Sequence, residues 1–316
     1  VDSVRRLLDL AFLKIDKSHS SIKIIASEKD LKGNSLLKIL KSPSFKESEM
    51  EIPYAVGYDM MGEMVIVDIA QFNHLLIGGT SGYGKSSALH SLLMSIVCKQ
   101  KVDKVKLLLL DFGGSRLKMF DNIPHMIEPT ITVHEFEKGR KYILALTRLM
   151  EKRLEKLELI DERKYDKEIE KWPCIVCVID EFPTFIRKLT AGKGNKLSYM
   201  LVADLLERAR KVKIHLILAA QDATQGNIAI KNTNFDAAIA FMCTSEHGSR
   251  AIINAPDARN LSEKGAMYFK CYQHDGLKRM QGSFMKPVEI MDMLDNIKFD
   301  TGDAGGQYNE VKSELI

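Results

Sequence analysis

The rhythm of hydrophobic positions changes partway along this chain. In the first fifty residues the apolar groups are short and mixed. Val4, Leu7, Leu8, Leu10 and Ala11 recur at helical spacing and predict an amphipathic helix over residues 4–15. The run Ser21-Ile-Lys-Ile-Ile25 reads as a strand, residues 35–40 as a second short helix, and Lys41-Ser-Pro-Ser44 as a turn. Residues 52–68 predict two strands around a tight turn at 59–62. Residues 1–50 are therefore expected to form a small N-terminal element docked on a larger domain over 51–299.

Beyond residue 74, continuous Ile/Leu/Val runs alternate with helical stretches. Strands are expected at 74–77, 105–110, 175–179, 214–219 and 237–242. Helices are expected at 86–98, 115–120 and 200–211, with a long charged helical segment over 135–171. Runs this apolar suit strands covered on both faces. The alternation predicts an α/β fold with a mostly parallel central sheet flanked by helices. The tail, 301–316, mixes Gly302, Gly305 and Gly306 with charge and is expected to be flexible.

Composition narrows the class. Apolar residues make up 45% and charged residues 28%, a globular profile. Lys and Arg total 46 against 42 Asp and Glu, which excludes an arm-like polybasic binder but not a local basic patch. No window approaches the about 18 apolar residues of a membrane span. The first residues carry Asp2, Arg5, Arg6 and Asp9, so they are not a signal peptide. Five cysteines, mostly inside apolar runs, read as reduced thiols of the cytoplasm. Cys174 and Cys177 lie three apart on a strand, on opposite faces, and read as core residues.

The candidate chemistry is concentrated. Gly79, Thr80, Ser81, Gly82, Tyr83, Gly84, Lys85 and Ser86 fit G-x-x-x-x-G-K-[ST] between a strand and a helix, with Ser87 following. Such a loop turns backbone N–H groups toward phosphates, and the helix N-terminus adds a favourable dipole. Lys85 would neutralise the β- and γ-phosphates of ATP, and Ser86 would ligate Mg2+. The apolar strand of residues 174–179 ends in Asp180 and Glu181. Asp180 is the second Mg2+ candidate and Glu181 the residue that polarises the attacking water. Gln221, at the end of another apolar strand, suits either a contact to the γ-phosphate or lytic water or an exposed loop position. Arg208, Arg210 and Arg250 are candidate transition-state cations. Lys193, Lys196 and Lys231 lie in polar stretches suited to phosphate-backbone contact. The histidines, His125 included, show no ligand spacing.

Taken in order, these segments resemble the FtsK/SpoIIIE family of DNA-pumping ATPases. The likeness runs from the hairpin and loop of residues 56–86 through Leu107–Asp111, Phe120–His125, Leu149–Arg153, Val178–Phe182, Ala209–Gln221 and Ser249-Arg250. It implies a RecA-like P-loop NTPase acting as a homo-hexamer, with double-stranded DNA in the pore and Arg250 reaching a neighbouring subunit's nucleotide. It also implies a cytoplasmic motor with a membrane anchor upstream and secretion-channel partners, serving conjugation or DNA segregation. The alternative it leaves is a type VII (EssC/EccC-like) protein-secretion ATPase. The chain departs from the family pattern at Tyr83, where Ser is usual, at Gly113, where many members carry Lys, and at Lys213, which replaces Gly.

Overall fold

A computed structural model describes residues 12–17, 22–27, 35–191, 196–221, 235–271 and 276–300. The side chains of 12–17, 22–27, 196–199 and 298–300 are outside that description. The chain begins with β1 (Phe12–Lys17) and β2 (Ile22–Ser27), an antiparallel pair with Phe12 opposite Ser27. The helix expected over residues 4–15 is thus a strand where it enters the described range. A strand partner, β2, lies next in sequence and pairs with it antiparallel.

Two short helices follow, α1 (Leu36–Lys41) and α2 (Pro43–Lys46). The Ser42 side chain accepts from the Phe45 N–H and so caps α2. Leu36, Ile39, Leu40 and Phe45 are buried in the same cluster as the central strands, so these helices belong to the main core. The hairpin β3 (Pro53–Asp59) and β4 (Met64–Asp68) comes next, followed by β5 (Leu75–Gly78) and α3 (Lys85–Lys99).

The remaining elements are β6 (Val105–Asp111), β7 (Ile131–Thr132), α4 (Phe136–Glu158), α5 (Tyr165–Ile169), β8 (Cys174–Asp180), α6 (Phe182–Thr190), α7 (Lys196–Arg208), β9 (Ile214–Ala220), β10 (Ala237–Ala240), α8 (Glu246–Ile253), β11 (Ala266–Cys271), β12 (Leu277–Gly282) and α9 (Pro287–Asp300). The long charged segment is two helices rather than one, since α4 stops before Leu159 and α5 restarts at Tyr165.

One ten-stranded sheet organises the molecule, in the order β4-β3-β12-β11-β10-β5-β9-β8-β6-β7. The six strands from β10 to β7 are mutually parallel, and β11, β12, β3 and β4 extend them antiparallel. The parallel strands are buried along nearly their whole length, which is why they read as unbroken apolar runs. Their alternate residues feed two cores. One face packs against α4, α6, α7 and α8, the other against α1, α2, α3 and α9. Cys177 belongs to the first and Cys174 to the second, both buried free thiols. Burial raises both thiol pKa values, so neither is a ready nucleophile. No helix among the described residues is long and apolar enough to cross a membrane.

Candidate active site

The phosphate loop lies between β5 and α3, at the C-terminal edge of the parallel block. That is where open α/β sheets place their ligands. Its shape depends on glycine at two points. Gly79 and Gly84 have φ of 139° and 133°. A Cβ on either would stand within 2.7 Å of the Phe241 side chain. Phe241, 1% exposed, is the floor on which the loop rests. The N–H groups of Gly79 and Thr80 are committed to Ala220 O (3.3 Å) and Met242 O (2.7 Å). These two residues brace the loop against the sheet, and the stretch from Ser81 to Ser87 lines the open cleft of about 560 Å3. Tyr83 lines the cleft and packs partly onto the core below α3, the placement its aromatic ring favours.

Lys85 and the acids meet beneath the loop. Lys85 Nζ is 2.8 Å from Asp180 Oδ1 and 3.4 Å from Glu181 Oε2. Lys85 is 6% exposed and Asp180 fully buried, so the pair is a desolvated charge contact that a phosphate would have to open. Asp180 ends β8. Glu181 follows in the left-handed region, φ 57° and ψ 52°, and starts α6. Strain of this kind at a non-glycine residue persists where the surroundings hold it. Here the Glu181 carboxylate accepts from both Lys85 and the Gln221 N–H, the latter at 3.1 Å.

Gln221 is an exposed residue with defined partners. Besides its N–H bond to Glu181, its Oε1 accepts from Ser81 Oγ at 2.6 Å. The phosphate loop, the acidic strand end and the end of β9 are therefore joined through one residue, by its backbone N–H and its side-chain oxygen.

Ser115 was invisible as a site residue in the sequence. Its Oγ donates to Asp180 Oδ2 at 2.7 Å and lies 3.1 Å from Ser86 Oγ. The Asp111 carboxylate shapes its loop, accepting from the N–H groups of Gly114, Ser115 and Leu117. His90, on α3, contacts the Ser115 carbonyl oxygen at 2.7 Å. Burial lowers the His90 pKa, its backbone contact opposing the shift. Two hydroxyls and a buried carboxylate thus converge. An all-oxygen set of this kind suits Mg2+ and not a softer metal. Among the described residues, no group of three or more His, Cys, Asp or Glu side chains is placed to hold a metal.

The departure at Gly113 has a geometric reason. A Cβ there would lie 2.3 Å from Asp180 Oδ2 and 3.1 Å from Glu181 Cβ. Lys213 occupies the left-handed region, φ 60°, which explains the usual glycine, and its ammonium pairs with Glu51.

The candidate arginines are not in the cleft. Arg208 is held by Glu151 and Asp204, and Arg210 donates to Asn73 Oδ1 at 3.1 Å. Asn73 precedes β5, so Arg210 is at the edge of the sheet opposite the loop. Arg250 is exposed on α8 and does not line the cleft. Its neighbour Ser249 is buried, donating to Ala255 O and accepting from Ala258 N–H. His125 packs in a loop with Nε2 on Gln100 O. Lys193 and Lys231 lie outside the described residues, as does the tail. Lys196 opens α7, with its side chain outside the description. The far wall of the cleft, Phe241, Lys264, Gly265 and Gln281–Phe284, carries no local motif and was not anticipated.

The sheet, the loop and the acidic strand end have the architecture of the P-loop ATPases. Residues 35–168 match the FtsK/SpoIIIE family, and the chain carries a domain of that family. Over 272 residues it is 32% identical to the DNA translocase FtsK of Borreliella burgdorferi, covering 83% of this chain and 34% of that protein. Against the DNA translocase FtsK of Clostridium tetani it is 30% identical over 287 residues, covering 88% and 38%. The chain thus spans about a third of the length of these relatives. Two solved structures share the fold. The cytoplasmic domain of the Thermomonospora curvata type VII secretion ATPase EccC superposes with TM-score 0.70 at 23% identity, covering 87% of this chain and 35% of that one. The pCW3 conjugation coupling protein TcpA, in a monomer form with ATPγS, gives TM-score 0.69 at 18% identity, covering 94% and 84%.

Proposed function

We propose that this chain is the motor of an ATP-driven translocase of double-stranded DNA, working as a hexameric ring in conjugative transfer or DNA segregation. The observation that carries the ATPase half is the contact of Lys85 with Asp180 and Glu181 directly under the phosphate loop. The cargo half rests on the relatives near 30% identity that are named DNA translocases.

In this reading an incoming triphosphate takes Lys85 from the acids and leaves their carboxylates facing the cleft. Ser86, Ser115 and Asp180 would hold Mg2+, which would supply positive charge to the phosphate oxygens when bound. Glu181 then polarises the water that attacks the γ-phosphate. Gln221, bonded at both ends, keeps Glu181 in register with the loop. Arg250 reaches the cleft of the next subunit, because it stands outside its own. The motor is the cytoplasmic part of a membrane-anchored protein, and Lys193, Lys196 and Lys231 contact the DNA backbone in the pore. Such contacts release counterions and weaken as salt rises.

The test is the rate of ATP hydrolysis with and without linear duplex DNA, at low and moderate salt. Stimulation that fades with salt is the expected result. Indifference to DNA at both salts would remove the cargo assignment and favour a protein-secreting ATPase, the reading that the EccC likeness supports. Lys85→Ala should abolish hydrolysis in either case, and full activity in that variant would overturn the site itself.

A further inference from the structure

The cleft has two unlike ends. At one stand Gly113, Ser115 and Gln221, beside Lys85 and the acids. At the other, past Tyr83 and Gly84, stand Lys264, Gly265 and the segment Gln281–Phe284. A nucleotide is two-ended as well, with a charged phosphate chain and a flat, largely apolar base. The loop and acids fix the phosphate end, so the base falls against the second wall.

That wall presents an aromatic ring. Phe284 lines the cleft with 48% of its surface exposed, although it is one of the larger apolar residues of the chain. Its backbone is held firmly. The Phe284 carbonyl accepts from the Leu36 N–H at 2.9 Å. The preceding Ser283 is 3% exposed, donates through Oγ to Ala55 O at 2.9 Å and lies 3.1 Å from Ser91 Oγ on α3. The wall is also tied to the loop, since Gly265 N–H donates to Tyr83 O at 2.8 Å. A half-exposed ring on an anchored backbone beside a phosphate site is a platform prepared for a flat ligand.

We propose that Phe284 is the nucleobase platform of this site, its ring stacking on the base of the bound nucleotide and favouring purines by their larger face. This rests on the reading of the cleft as an ATP site, and the test separates the two. The dissociation constants of Mg–ATP and of Mg–inorganic tripolyphosphate are measured by calorimetry on the full chain, for wild type, Phe284→Ala and Phe284→Trp. Loss of one base–aromatic stack predicts ATP binding weaker by roughly 5- to 100-fold in Phe284→Ala. Tripolyphosphate should bind that variant as it binds wild type, and Phe284→Trp should keep wild-type ATP affinity. Unchanged ATP affinity in Phe284→Ala, or equal weakening of both ligands, would overturn the platform. Wild-type protein that binds neither ligand would instead overturn the ATP site.

Discussion

At the residue scale the site is governed by close approaches around Asp180. Fully buried, it holds Lys85 on one oxygen and Ser115 on the other. Gly113 is the space that allows this. Gly113→Ala should push the carboxylate aside, an overpacking effect typically worth about 1–3 kcal/mol. The expected outcome is a lowered melting temperature together with at least a tenfold fall in ATP hydrolysis. A variant with wild-type kinetics would show that Asp180 is not held against this backbone. The same geometry explains what could be read from sequence alone. The loop and acidic pair are contiguous motifs whose spacing encodes their contacts. Ser115 acts through a bond to a residue 65 positions away, and nothing in its neighbours records that.

At the element scale, Arg153 shows that a family-like motif can be structural. It lies on α4, 4% exposed, and donates to Val212 O at 2.7 Å and Pro173 O at 3.2 Å. Its guanidinium also stands over the Trp172 ring at 5.2 Å. One side chain thus joins a long helix to the approaches of β8 and β9. Arg153→Met keeps the stem but orphans these acceptors, so unfolding free energy should fall by about 2–4 kcal/mol in a urea titration. ATP turnover per folded molecule should be unchanged at low denaturant.

A second element-scale effect comes from the starts of β5 and β9. Burial lowers His74 to about 3 and His215 to about 4, with the neighbouring Arg210 cation adding to both shifts. The folded state holds both rings neutral, whereas the unfolded chain takes up protons near pH 6.5. Stability is therefore complete above pH 6.5 and is lost as pH falls toward 4. The urea midpoint should be lower at pH 5 than at pH 7, and the difference should shrink in His215→Phe. A midpoint that does not move between those pH values would count against both shifts. The parallel strands were legible because burial on both faces leaves unbroken apolar runs. The pair β11–β12 was not, because β12 carries Lys278, Arg279 and Gln281 and its pairing with β3 is set far along the chain.

At the scale of the whole molecule, one chain holds the loop, Lys85 and both acids, while Arg250 is exposed on α8 and does not line their cleft. A ring in which Arg250 completes the neighbour's site makes a specific prediction. Arg250→Ala, mixed with Lys85→Ala, should partly recover ATP hydrolysis, because some hybrid interfaces then carry an intact loop opposite an intact arginine. Each variant alone should be inactive. Absence of recovery at every mixing ratio would rule out a trans arginine at this position.

The junction of β3 with β12 also bears on how the protein comes into being on the ribosome. Ser283, itself part of the far wall of the cleft, closes onto Ala55 across 228 residues of chain. The phosphate loop is translated long before that wall exists. A nascent chain can expose the loop, but it has no cleft to enclose a nucleotide until β12 has been made and docked. Contacts this distant in sequence form late and slowly. The two halves of the cleft are thus separated in the order of synthesis by most of the chain.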